Sequence, residues 1–137
     1  MPYNQMIALL TSNSPASLDE LADGIRNWFA KDSEMLMSFE TAPFGIGEHI
    51  VLNWDKWYLR FYFEIHEDVA IQARDIAARL ASGRPDYQAI ANCTRRVRIV
   101  ATDEPEPDHI TQHIIATEFL QQLSGSVMYD PTRDELF

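Results

Sequence analysis

Trp57-Tyr58-Leu59-Arg60-Phe61-Tyr62-Phe63-Glu64-Ile65 decides the class of fold. Read with a period of two, Trp57, Leu59, Phe61, Phe63 and Ile65 fall on one face, and Tyr58, Arg60, Tyr62, Glu64 and His66 on the other. That is the signature of a strand with one buried face. Asp55-Lys56, standing between Trp54 and Trp57, fits a tight hairpin connection, which makes His49–Trp54 the antiparallel neighbour. Met35–Thr41 reads as a further strand, joined to it through the longer loop Pro43-Phe44-Gly45-Ile46-Gly47.

Outward from this block the period changes to that of a helix. Leu18, Leu21, Ala22, Ile25 and Phe29 mark one apolar stripe on the amino-terminal side, and Ser17-Leu18-Asp19-Glu20 has the spacing of a capping box. Before it, the unbroken run Met6-Ile7-Ala8-Leu9-Leu10 predicts a strand buried on both faces. On the carboxyl-terminal side Val69, Ala70, Ala73, Ile76, Ala77 and Leu80 form a second helical stripe, ended by Ser82-Gly83 and Pro85. A short helical turn over 86–92, a strand with Val97, Ile99 and Ala101 inward, a third helix over 108–123 and a closing strand Val127-Met128-Tyr129 complete the chain. The apolar positions of that third helix are Ile110, Ile114, Ile115, Phe119, Leu120 and Leu123. The order strand, helix, three strands, helix, strand, helix, strand predicts one α+β domain over 1–137. Its sheet should be largely antiparallel, with about three helices mainly on one face. The pattern does not give the strand order.

Composition narrows the partners. The chain of 137 residues carries 21 acidic and 11 basic side chains, a formal net charge of −10. Such an excess repels phosphate backbones and anionic lipid, so direct nucleic-acid binding and membrane attachment are disfavoured and a basic protein is the natural complement. A single cysteine, Cys93, cannot form an internal disulfide, which fits a cytoplasmic setting. The apolar run near the amino terminus is too short for a signal peptide or a span.

Several constellations bear on chemistry. Asp103, Glu104, Glu106 and Asp108, spaced by Pro105 and Pro107, form an acidic connection before the third helix; it reads as a solvated, helix-capping loop or as a ridge for a basic partner. Tyr58 and Tyr62 alternate away from the core and could anchor a partner or a homodimer contact. His109 and His113, at i and i+4, could share a helix face, with Glu64 and His66 as further metal ligands if the fold brought them near. The Glu of an H-E-x-x-H motif is missing. Cys93 beside Arg95 and Arg96 is either a packed thiol or an activated one, and packing is the commoner fate. Arg96 and Arg98 share a strand face and are expected to pair with carboxylates on neighbouring strands. Neither a G-x-S-x-G elbow nor a Gly-rich phosphate loop is present, so no catalytic residue and no cofactor is assigned.

The segment from Ile90-Ala91-Asn92-Cys93-Thr94-Arg95-Arg96 through Asp103-Glu104-Pro105 to Gly125 and Asp130-Pro131 resembles small uncharacterised bacterial α+β proteins. In its compact, acidic, motif-poor character the chain is similar to the immunity proteins of polymorphic toxin systems. The resemblance implies a non-enzymatic cytoplasmic inhibitor that binds a basic toxin or nuclease. A small metal-binding protein or enzyme built on His109 and His113, and a structural homo-oligomer, are the alternatives.

Overall fold

Four consecutive apolar residues, Ile7, Ala8, Leu9 and Leu10, are all buried, and this is the key to the architecture. Successive strand residues point to opposite faces, so a strand buried at every position needs cover on both sides. The computed structural model describes residues 3–41, 47–101 and 109–137. Its elements run β1 (Tyr3–Leu10), α1 (Leu18–Trp28), β2 (Leu36–Thr41), β3 (Glu48–Trp54), β4 (Trp57–Glu64), α2 (Glu67–Leu80), α3 (Tyr87–Ala91), β5 (Arg96–Ala101), α4 (Ile110–Gln122), β6 (Ser126–Asp130) and β7 (Glu135–Leu136). The strands form one seven-stranded sheet in the order β2-β3-β4-β5-β1-β6-β7, every neighbouring pair antiparallel. β1 therefore lies between β5 and β6, which run parallel to each other and are joined by α4.

The α+β class and the antiparallel sheet are as the sequence predicts, but the helices divide between the faces. One core joins Ala8 and Leu10 of β1 to Leu21, Ala22 and Ile25 of α1, Ala116, Phe119 and Leu120 of α4, and the inward residues of β3, β4 and β5. The other sets Ile7 and Leu9, from the same strand, against Ala73, Ile76 and Ala77 of α2 and Ile90 beside α3's end. The expected one-sided cover is thus corrected to α1 and α4 on one face and α2 and α3 on the other. The both-face burial of β1 is the physical reason.

Local chemistry sets the element ends. Ser17 caps α1, its Oγ accepting from the Glu20 amide at 3.1 Å, while the Glu20 carboxylate accepts from the Ala16 amide. In the β3–β4 hairpin Trp54 pairs with Trp57, Asp55 takes a left-handed φ of 55°, and Asn53 Nδ2 donates to the Asp55 carbonyl at 2.9 Å. At the far edge Asp134, with φ 53°, turns β6 into β7. There the Tyr129 hydroxyl donates to Asp134 at 2.6 Å and Arg79 reaches it from α2 at 2.5 Å.

Three residues read as apolar positions of their elements are not core. Ile65 lies beyond the end of β4 and is exposed, and Ile110 and Ile114 of α4 face outward. The apolar residues of α4 are spread around its circumference among polar ones, so periodicity alone does not define its inner face. The sheet takes the side bearing His113, Ala116, Phe119 and Leu120. The expected loop at Pro43–Gly47 lies, but for Gly47, outside the described residues, as does the acidic loop bearing Asp103, Glu104, Glu106 and Asp108.

Candidate functional site: an arginine–tyrosine sheet face

On the face of the sheet that carries α2 and α3, the core among the described residues draws its sheet residues from β1, β6 and β7. The register of this face makes a row from edge to edge: Glu40 pairs with His49, Tyr62 with Arg98, Arg98 with Ile7, Ile7 with Tyr129 and Tyr129 with Leu136. The step from β3 to β4 is closed by the His49 ring stacked on Tyr62, with centroids 4.7 Å apart. The row changes character at β5, from polar and aromatic on the β2–β5 side to apolar beneath α2 and α3. Among the described residues the core beneath α2 and α3 includes none from β2–β5.

Long side chains of its own cover the β2–β5 part of this face. Arg60 on β4 reaches over β3 to Glu40 on β2, Nε to Oε1 at 3.4 Å, and the same carboxylate oxygen meets His49 Nε2 at 3.1 Å. Val51 and His49 lie under this cover and are buried. The Arg60 guanidinium stands 5.6 Å from the Tyr58 ring centroid and that of Arg98 4.6 Å from Tyr62, both within cation–π range. Arg96 and Arg98 both bind Glu64, as their shared strand face predicted, and Arg96 also donates to Gln72 of α2. Burial opposes ionisation of Glu64, but the hydrogen bonds from Arg98 and Arg96 outweigh it and hold the carboxyl below its ordinary value.

Tyr58 and Tyr62, singled out from the sequence, therefore sit together on this face and are partly exposed. His49, Arg60 and Glu40 were missed. The signal for them was positional, because residues two apart on a strand share the face of Tyr58 and Tyr62, but only the register across β2, β3 and β4 brings them together. His49 Nδ1 is buried without a hydrogen-bond partner among the described residues. It lies beneath the surface rather than at it, and of the Glu40–His49 pair only the carboxylate is exposed.

The four residues considered for a metal are separated. His109 caps α4 and stacks on Trp57 at 5.1 Å with planes 3° apart, and His113 is buried one turn on against the same indole. Glu64 and His66 lie at the other end of β4, about 23 Å along the strand, and Glu64 points to the opposite sheet face. The described residues contain no group of three or more His, Cys, Asp or Glu side chains able to hold a metal ion. Cys93 is packed in the α2–α3 core, its thiol 3.3 Å from the Ala89 carbonyl, and burial pushes its pKa up to about 11 despite the nearby Arg95. Arg95 instead ties down the turn after β1, donating to the carbonyls of Ser12 and Pro15.

A cavity of about 340 Å³ opens between the ends of α1 and α4, lined among others by Glu20, Gly24, Trp28 and Phe119. It bears on packing, since a Cβ at Gly24 would come 3.2 Å from the Phe119 ring. Among the described residues no helix is long and apolar enough to cross a membrane. Set beside protein families, characterised proteins and solved structures, the chain matches none.

Proposed function

We propose that this chain is a non-enzymatic protein-binding module that docks a basic partner, in the manner of an immunity-type inhibitor of a toxin or nuclease. The observation that best supports a protein-binding role is the arginine–tyrosine face over β2–β5, while the preference for a basic partner rests on the net charge of −10. Tyr and Arg dominate binding hot spots, and here each ring is already stacked beneath a guanidinium that is itself held by a carboxylate. Side chains fixed in advance lose little entropy on docking. Ala101 and His109, which flank the acidic stretch Asp103–Asp108, both belong to the Trp57 end of the sheet, Ala101 paired with Leu59 and His109 stacked on Trp57. Tyr58 is at that end too, and the net charge of −10, to which Asp103, Glu104, Glu106 and Asp108 contribute, would steer a basic protein towards the chain.

The test is capture of the tagged chain's partner from host lysate at low and moderate salt. One basic protein in stoichiometric amount is expected, lost on Tyr58→Ala/Tyr62→Ala and slowed in association when the four loop carboxylates are neutralised. A partner whose binding ignores both sets of changes would end this reading. Self-association is a second reading, supported by α4, where Ile110 and Ile114 are exposed on a helix whose only charged residue is Glu118. Sedimentation over a concentration range tests it, and a strict monomer removes it.

A further inference from the structure

The two edges of the sheet are built differently. β7 is two residues long and is locked by the Arg79–Asp134–Tyr129 cluster, so it offers little to a visiting strand. β2 is six residues, Leu36-Met37-Ser38-Phe39-Glu40-Thr41, paired residue for residue with β3 without a bulge. Among the described residues no strand pairs with its outer side. Natural sheets blunt such edges with Lys, Pro, bulges or extreme shortness. β2 has none of these, and Leu36 is 66% and Phe39 37% exposed.

We propose that β2 is a strand-addition edge that takes an extended basic segment of a partner protein as an eighth strand of the sheet. The inference rests on reading the chain as a protein-binding module. Main-chain hydrogen bonds would supply the affinity, and the two faces of β2 would select the side chains. Met37 and Phe39 lie on the α1–α4 face, with Met37 packed on the core, and ask for apolar neighbours. Leu36, Ser38 and Glu40 lie on the arginine–tyrosine face. There the Glu40 carboxylate, half-exposed beyond its contacts with His49 and Arg60, asks for Lys or Arg. Charge decides between occupants. A second copy would bring two Glu40 side chains and two bodies of charge −10 to one seam, and β2 contributes no cation to offset them. A basic strand meets no such repulsion.

The experiment uses the whole chain with two labelled synthetic peptides, one alternating lysine with valine and one alternating glutamate with valine. Binding is read by fluorescence anisotropy, and the site by amide hydrogen exchange. The lysine–valine peptide is expected to bind, to slow exchange of amides in Leu36–Thr41, and to be weakened at least about tenfold by Phe39→Lys and by Glu40→Lys. Ile71→Lys, at an exposed position on α2, serves as the control and should leave it unchanged. Equal binding of the two peptides, or binding without protection of β2, overturns the proposal. So does a dimer of the free chain that Phe39→Lys dissolves, since the edge would then belong to a second copy. A lysate partner lost on Tyr58→Ala/Tyr62→Ala but kept on Phe39→Lys would remove the edge and leave the sheet-face reading standing.

Discussion

Arg98 grips both carboxylate oxygens of Glu64, Nε donating to Oε1 at 3.0 Å and Nη2 to Oε2 at 3.1 Å. The two are diagonal neighbours across β4 and β5, with Arg96 directly opposite Glu64 in register. One carboxylate thus pairs with two guanidiniums at the border where the open part of the sheet face meets α2. Losing it leaves two half-buried cations unpaired.

Glu64→Gln should therefore destabilise the fold by about 1–3 kcal/mol near neutral pH. Because the folded carboxyl is held below its ordinary value of 4.5, its contribution is fully present above that value and is lost as the pH falls through the lowered one. Urea melts of the two proteins at several pH values should converge on the acid side. A gap that persists unchanged into strong acid would show that the Glu64 charge is not what stabilises.

Cys93 should be inert in the folded protein. With a pKa pushed up to about 11 by burial, only about a thousandth of the thiol is ionised at pH 8, and the sulfur is also sterically covered. A thiol-specific chromogenic reagent should react only as fast as the chain unfolds, and at once in denaturant. Prompt stoichiometric reaction under native conditions would contradict the packing described.

Gly125 and Gly83 both have φ above +70°, yet substitution should separate them. A Cβ at Gly125 would lie 2.7 Å from both the amide nitrogen and the Cβ of Ser12, whereas one at Gly83 meets nothing within 4 Å. Gly83→Ala should cost about 1 kcal/mol for the left-handed backbone alone. Gly125→Ala should cost at least about 2 kcal/mol more, because the turn after α4 must move off the turn after β1. Thermal unfolding of the two variants measures the difference.

The cap of α1 makes a pairwise prediction. Ser17→Ala should cost about 1 kcal/mol, and Glu20→Ala should cost less when Ser17 is already gone, since both side chains fix the same first turn. A double-mutant cycle with no coupling would show that the two contacts act independently.

How far the fold could be read depended on whether the signal was local. The alternation in β4, the capping box and the unbroken apolar run of β1 each name their element, because burial of one face or of both leaves a short-range imprint. α4 left no such imprint, because its apolar residues are spread around the helix among polar ones, and Ile110 and Ile114, read only as apolar positions, lie outward. The site divides in the same way. Tyr58 and Tyr62 were legible as outward residues of one strand, as were Arg96 and Arg98 seeking a carboxylate. Glu40, His49 and Arg60 join them only through pairings between strands, and β7, at two residues, is too short to have a period at all.

The central place of β1 has a consequence for how the chain is made. This strand precedes both of its partners in sequence, hydrogen-bonding on one side to β5 and on the other to β6, so it waits, apolar on both faces, until residues 96–130 have been synthesised. Sheet completion is a late, long-range event, of the kind that slows folding and leaves nascent chains prone to association. A ribosome stalled before Arg96 would hold a chain whose β2–β4 meander can form but whose middle strand has no neighbour on either side, and that is where a chaperone would be expected to bind.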